Sequence, residues 1–181
     1  MKLQAEYRQP AMPHGRYRDP TEAEIAQLSE VLIDCVEGGA SVSFMLPLSS
    51  EKARTFWRHV AADVRSGKRI LLVADDESGI VGTAQVAFDM PENQPHRGDL
   101  AKMLVHRRAR NRGFGAALLR AAEDAAREAG LSLLVLDTVT GGAGERLYQR
   151  LGWHRVGEVP DFALWPGGGF CATTYYYRKL A

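Results

Sequence analysis

Cysteine is scarce in this chain: two among 181 residues, Cys35 and Cys171, far apart and in no CxxC pair. That usage excludes a disulfide framework and a thiolate metal cluster, so no metal is expected. It favours a reducing, cytoplasmic setting. Long apolar runs are also missing, and none approaches the ~20 residues of a membrane-spanning helix. Neither sign of charge is in excess, since 23 Lys and Arg against 22 Asp and Glu leave +1. Composition therefore makes no case for nucleic acid or an acidic membrane as partner. Repeats and low-complexity segments are absent. The first 20 residues are polar, contain three prolines and lack the apolar centre of a signal peptide. They have room for a short edge strand.

What is present is ordinary globular material, 45% hydrophobic and 25% charged, at a length that points to one domain over residues 1–181. Thr21 to Glu24 reads as a capping box. Ile25, Leu28, Leu32 and Cys35 then share a helical face, and Gly38-Gly39 ends the helix. Ala40 to Leu48 is an irregular apolar connection. Ser49 or Ser50 opens a second helix with Ala53, Phe56, Trp57, Val60, Ala61 and Val64 on its buried stripe. Strands follow over 69–74 and 80–88, joined by a turn at 75–79. A third strand runs from Asp99 to His106. An alanine-rich helix over about 115–129 buries Leu118, Leu119, Ala122 and Ala126. A strand over 131–138, a short helix over 143–151, a strand over 153–159, a loop over 161–169 and a strand over 171–179 complete the chain. Tyr175-Tyr176-Tyr177 in the last strand is read as alternating sheet packing. The outer strand pairs suit antiparallel hairpins. The central strand–loop–helix–strand unit places its two strands parallel, giving an α/β (α+β) layout with a mixed sheet.

The most informative stretch is Arg107-Arg108-Ala109-Arg110-Asn111-Arg112-Gly113-Phe114-Gly115-Ala116, between the third strand and the alanine-rich helix. The first N–H groups of a helix lack internal partners, and the aligned peptide dipoles add positive potential there. Gly113 and Gly115 let the backbone approach an anion closely. Four arginines within six residues supply charge to neutralise a multiply charged ligand. The pattern suits a phosphate-bearing cofactor.

Val105 to Gly115 resembles the acyl-CoA signature of the GNAT N-acetyltransferase superfamily. There Arg or Gln, two variable residues, Gly, one variable residue and Gly or Ala form the pyrophosphate loop; here these are Arg110, Gly113 and Gly115. Glu145-Arg146-Leu147-Tyr148-Gln149-Arg150-Leu151-Gly152-Trp153 resembles the second hallmark, a Tyr-bearing helix that ends Leu-Gly-aromatic. Many members have Gly directly after the signature Arg, where this chain has Asn111, a residue that tolerates left-handed backbone. Three further stretches, 38–45, 133–138 and 156–160, resemble the tabtoxin-resistance branch of the superfamily, which acetylates an amino-acid-like β-lactam toxin.

The resemblance implies a GNAT fold: a mixed, mostly antiparallel sheet with one splayed parallel pair and helices on both faces. It implies acetyl-CoA as co-substrate, held by Arg110, Asn111, Arg112, Gly113, Phe114, Gly115 and Ala116. Arg107, Arg108 or Arg112 would reach the 3′-phosphate. Met103, Leu104 and Val105 would offer backbone groups to the pantetheine arm, and an N–H of Met103 or Leu104 would polarise the thioester carbonyl. The side chains of Met103 and Val105 are otherwise read as core. Tyr148 would protonate the departing thiolate. An alkyl ammonium of pKa ~10 must lose a proton before attack, and Asp99 or Asp137 would accept it, directly or through water. By strand alternation Asp99, Ala101, Met103 and Val105 share a face. Ser41, Phe44 and Met45 would line the acceptor site, with Phe170 a further wall candidate. His106 and His154 are assigned no catalytic part.

The reading is a cytoplasmic acetyltransferase that passes acetyl directly to a small amino-acid-like amine, including toxins or antibiotics. A homodimer is compatible with the resemblance, and neither nucleic acid nor a membrane is an expected partner. Two alternatives stand: a GNAT acting on a protein N-terminus or lysine, and a non-catalytic acyl-CoA-binding module.

Overall fold

The computed structural model describes residues 14–17, by backbone alone, and 19–180. The expectation of an edge strand near the start is met by β1 (His14–Tyr17), which pairs antiparallel with β2 (Arg69–Asp76). The rest of that expectation, over residues 1–13, lies outside the described residues. Thr21 caps α1 (Glu22–Glu37) through a reciprocal capping box with Glu24, and Ser49 caps α2 (Ser50–Arg65) by accepting from the Lys52 amide. These caps satisfy amides that have no partner inside the first helical turn.

Three strands follow: β2, β3 (Gly79–Ala87) and β4 (Arg97–Val105). Then come α3 (Phe114–Glu128), β5 (Leu133–Val139), α4 (Ala143–Arg150), β6 (His154–Leu164) and β7 (Phe170–Lys179). They form one sheet in the order β1-β2-β3-β4-β5-β7-β6, antiparallel throughout except for β4 beside β5. The mixed sheet with one parallel pair is therefore as the sequence implied.

The sheet separates two apolar clusters. On one face, α3 and Tyr148 of α4 pack with Leu72, Val86, Leu100, Leu134, Leu136 and Tyr176. On the other, α1 and α2 cover Leu71, Val73, Ile80 and Leu104. Neighbouring strand residues contribute to opposite clusters, as the two-residue period of a strand requires. No helix among the described residues is long and apolar enough to cross a membrane.

Two expectations need correction. Residues 161–164 are strand, not loop: β6 continues through an irregularity between Val159 and Ala163, where Asp161 takes φ 52° and still rejoins β7. A bulge absorbs extra residues without ending the pairing, and Asp tolerates the left-handed region. The shared face assigned to Asp99, Ala101, Met103 and Val105 is also broken. Between Thr83 and Gln85 of β3 the register of β4 slips by one residue, with Lys102 at φ 49°. Beyond this bulge the alternation inverts. Ala101 pairs with Gln85 on the α1/α2 side, whereas Met103 and Val105 pack with the α3 cluster beside Leu100.

Leu118 of α3 is fully buried in the larger cluster. Leu118→Ala is expected to lower the unfolding free energy by about 2–5 kcal/mol, from lost burial plus a cavity. Urea denaturation at constant m-value checks this.

Candidate functional site

The site begins where two strands part. β4 and β5 are paired only over Arg97–Asp99 and Leu133–Val135. Past that point β5 keeps its antiparallel partner β7 as far as Val139 with Thr173, and β4 keeps β3. Each strand is thus satisfied on its outer edge while the inner edges diverge. A cleft of about 730 Å³ opens between them, lined by residues 100–105 of β4 and 137–139 of β5.

One end of the cleft is the start of α3. After β4 the chain makes a tight 3-10 turn at Arg107–Ala109. Asn111 then takes φ 60° and Gly113 φ 89°. Asn111 occupies the left-handed region the loop requires, so the departure from Gly keeps the turn. Gly113 is the N-cap of α3, and no side chain caps the helix there. Gly113, Phe114, Gly115 and Ala116 all line the cleft. Uncapped amides beside a positive helix end are donors suited to an anion.

The arginine cluster does a different job from the one its charge suggests. The Arg107 amide donates to Asp34 Oδ2 at 2.8 Å and its side chain ion-pairs with the same buried carboxylate. Arg108 reaches the Ser78 hydroxyl, and also donates to the Ile80 carbonyl at 3.1 Å. Arg112 pairs with Asp76 at 3.0 Å and lies over the Phe114 ring. Arg110 donates to the Val105 carbonyl at 3.2 Å and does line the cleft. Three of the four arginines therefore staple the loop to α1 and to the β2–β3 turn. Arg107, Arg108 and Arg112 do not line the cleft; its positive charges are Arg110, Lys102 of β4, and Arg146 and Arg150 of α4. The sequence reading missed the last two, although they lie four residues apart on the helix that carries Tyr148.

Tyr148 is 5% exposed and lines the cleft from α4. Its ring packs with Trp153 and Tyr176. Burial pushes its phenol far above the ordinary value, and the Asp137 charge adds to this. It therefore stays protonated and available to donate. α4 is held down by Glu145, which accepts from the Gly141 amide at 2.6 Å and from the Tyr176 hydroxyl at 2.9 Å. The middle tyrosine of the triplet is thus a buried strut, while Tyr175 faces the other side of the sheet. Gly144 brings α4 close to β5, because a Cβ there would lie 2.8 Å from Thr138 Oγ1.

On the α1/α2 side a second hollow of about 310 Å³ adjoins the cleft and shares Ser41, Asp137, Phe162 and Ala163 with it. Ser43, Phe44, Met45 and Leu164 complete its lining. Asp137 is exposed and accepts from the Thr173 hydroxyl at 3.2 Å. Burial pushes the Tyr175 phenol up, with Asp137 and Asp99 adding to it, so these three groups occupy one side of the sheet. Asp99 itself pairs with Arg97 and lines neither cavity. Phe170 is 68% exposed at the end of the hairpin and also lines neither. The α1–α2 connection is tied over the hollow at two points. Ser41 Oγ donates to the Leu164 carbonyl at 2.8 Å, and the Leu46 amide donates to the Pro166 carbonyl at 2.9 Å. Phe162 and Trp165, from the stretch read as loop, form part of the cleft wall. Among the described residues no group of His, Cys, Asp or Glu is arranged to hold a metal ion.

A model of the acetyltransferase (GNAT) family matches residues 39–153. Among solved structures, the chain resembles a ribosomal-protein-alanine N-acetyltransferase from Brucella melitensis with TM-score 0.76 and 23% identity, covering 89% of this chain and 97% of that one. It resembles yncA, a putative acetyltransferase from Salmonella typhimurium with its cofactor acetyl-CoA, with TM-score 0.76 and 19% identity, covering 94% and 95%. It also resembles a phosphinothricin acetyltransferase from Sinorhizobium meliloti in complex with AcCoA, with TM-score 0.76 and 18% identity, covering 94% and 89%. At these identities the likeness is one of fold.

The loop staple carries a pH signature. Hydrogen bonds from Ser78 and then Arg112, with the nearby Arg108 charge, hold the Asp76 carboxyl below the ordinary aspartate range. A depressed carboxylate stabilises the fold fully above its unfolded pKa of about 3.9, and this is lost as pH falls through the lower folded value. Asp76→Asn should therefore be less stable than the wild type at pH 7, with the gap closing below about pH 4. Denaturant titrations across pH check this; a gap unchanged at pH 2 would assign the anchoring to something other than charge.

Proposed function

The chain belongs to the acetyltransferase (GNAT) family, and within it we propose that acetyl passes from acetyl-CoA directly to the amine of a small, amino-acid-like acceptor. The observation that carries this reading is one continuous opening. It runs from an uncapped helix start, along a free strand edge, past a buried tyrosine, to a carboxylate in the adjoining hollow. The donor fits on structural grounds. The α3 start offers backbone amides with no side-chain cap, and nothing stands within 4 Å of where a Gly113 Cβ would be. Gly113 to Ala116 would hold the pyrophosphate, with Arg110, Arg146 and Arg150 adding positive charge around it.

Acetyl-CoA supplies an activated acetyl group as a thioester. The free edge of β4 offers the N–H of Met103 or Leu104 to the carbonyl oxygen, where negative charge develops during attack. Asp137 binds the acceptor ammonium from the second hollow and takes its proton, directly or through water, leaving a neutral nitrogen to attack. Asp99, paired with Arg97 outside the lining, acts at most through the charge it shares with that face. Tyr148 holds a proton at its phenol oxygen for the departing sulfur. Its raised pKa makes it a hydrogen-bond donor at all working pH values. Cys35 and Cys171 both line the cleft, but neither lies at a catalytic position matched by the family resemblance and burial pushes the Cys35 thiol up, so no acyl-enzyme is invoked.

The acceptor class rests on the tabtoxin-resistance resemblance and on the hollow's size. The hollow's small volume, with residues 41–46 tied to the β6–β7 hairpin beside it, supports a small molecule over a protein chain. Amino-acid-like toxins or antibiotics fall in this class, as do ordinary metabolites.

Calorimetry with acetyl-CoA, using ATP and NAD as controls, tests the donor site. Saturable binding of acetyl-CoA alone is expected, and Gly113→Val should weaken it at least tenfold by forcing a β-branched residue to φ 89°. Normal affinity in that variant would overturn the loop assignment. For catalysis, Tyr148→Phe should lower kcat by roughly 100-fold while acetyl-CoA affinity changes little. An unchanged kcat removes Tyr148 as the acid.

A further inference from the structure

Lys102 is the residue on the cleft wall that the transfer chemistry leaves unused. It interrupts the apolar run Leu100 to Val105, and it is the bulged residue of β4, at φ 49°. That left-handed position suits glycine far better than a long side chain, and holding a lysine there costs conformational energy. The bulge turns its side chain towards the α1–α2 connection. Nζ donates to Ser43 Oγ at 3.2 Å and lies 5.8 Å from the Phe56 ring centroid.

Three facts define its electrostatic situation. Lys102 lines the cleft and Ser43 lines the adjoining hollow. Among the described residues no carboxylate lies within ion-pairing distance of Nζ, whereas the arginines at 107, 108 and 112 are all paired. Burial lowers the pKa of the ammonium, the Asp137 charge partly opposes this, and Arg69 adds to the lowering. A half-buried cation whose hydrogen-bonding partner is a neutral hydroxyl has given up hydration with only the non-contacting Asp137 charge to offset it. An anion brought by a ligand would restore it.

Asp137 lines both cavities and carries the opposite charge. The junction of cleft and hollow is therefore bipolar: Asp137 lines both, and the Lys102 ammonium on the cleft wall is bonded to Ser43 of the hollow. Phe44, Met45 and Phe162 form an apolar wall around it. We propose that Lys102 and Ser43 form a carboxylate-binding subsite that makes the acceptor an amino acid, bound as a zwitterion with its ammonium at Asp137 and an apolar body against Phe44 and Phe162. Two donors, Nζ and the Ser43 hydroxyl, match the two oxygens of a carboxylate. The proposal rests on the acetyl-transfer reading and narrows it, making Lys102 a specificity residue for the acceptor.

The test measures CoA release with the twenty standard amino acids and, in parallel, their C-terminal carboxamides, which keep the amine and lose the anion. The wild type should favour the best acid over its amide by roughly tenfold or more in kcat/KM, as expected for a charge-assisted contact. Lys102→Met should lose that preference through KM, and Lys102→Arg should keep part of it. Acetyl-CoA calorimetry on each variant verifies that it is folded. Should Lys102→Met fail to fold, the wild-type comparison decides alone. Equal use of acids and amides by the wild type overturns the carboxylate subsite and leaves the transfer reading standing. An acid preference that survives in a folded Lys102→Met overturns the role of Lys102. Acetyl-CoA binding without turnover of any acid or amide overturns the subsite and direct transfer to an amino acid together.

Discussion

The separation of β4 from β5 after three residue pairs is the constraint on which the rest of the molecule depends. A parallel pair that continued would close the sheet and bury both inner edges in hydrogen bonds. Here each strand keeps its outer partner, apart from the bulge at Lys102, which adds local twist to β4 just beyond where its pairing with β5 stops. The unpaired edges then have to be satisfied by water or by something that enters. The groups the proposed chemistry uses are arranged around this opening: the α3 start at one end, Tyr148 on one face, Asp137 and Lys102 on the other.

A second feature is how charge is distributed between holding and binding. The basic loop carries its arginines mostly as structural ties to Asp34, Asp76 and the β2–β3 turn. Asp34 is buried while Arg107 is half exposed, so removing Arg107 would leave a buried carboxylate short of its counter-charge. Fixing the loop in this way leaves the anion-binding work largely to backbone amides. Amides on a rigid turn are pre-oriented, whereas flexible arginine side chains would have to be ordered on each binding event. Lys102 is the converse case, a cation with no carboxylate partner among the described residues, next to the hollow.

Much of the fold was legible in the residues. Capping residues, the apolar stripes of α1 to α3 and the strand–loop–helix–strand unit each depend on neighbours within a few positions, and each appears close to its expected place. The expectations that needed correction involve bulges. Pro160 and Asp161 read locally as a loop start, yet pairing with β7 resumes at Ala163. Alternation along residues 99–105 reads as unbroken, yet β3 fixes a register with one residue too many in β4. Both outcomes are decided by the partner strand, which local pattern does not contain.

The sequence by itself determined the family, the glycine-spaced loop, the tyrosine-bearing helix and the carboxylate at the end of β5, because short motifs carry their own backbone requirements. Only the tertiary structure decided which charges face the cleft. Arg112 was turned away from it by Asp76, Arg146 and Arg150 were brought to it by α4, and Asp99 was left beside Arg97 while Asp137 entered the hollow. The physical reason is that a side chain's direction is set by strand register and by ion pairs between residues tens of positions apart. No count of charges along the chain can supply either.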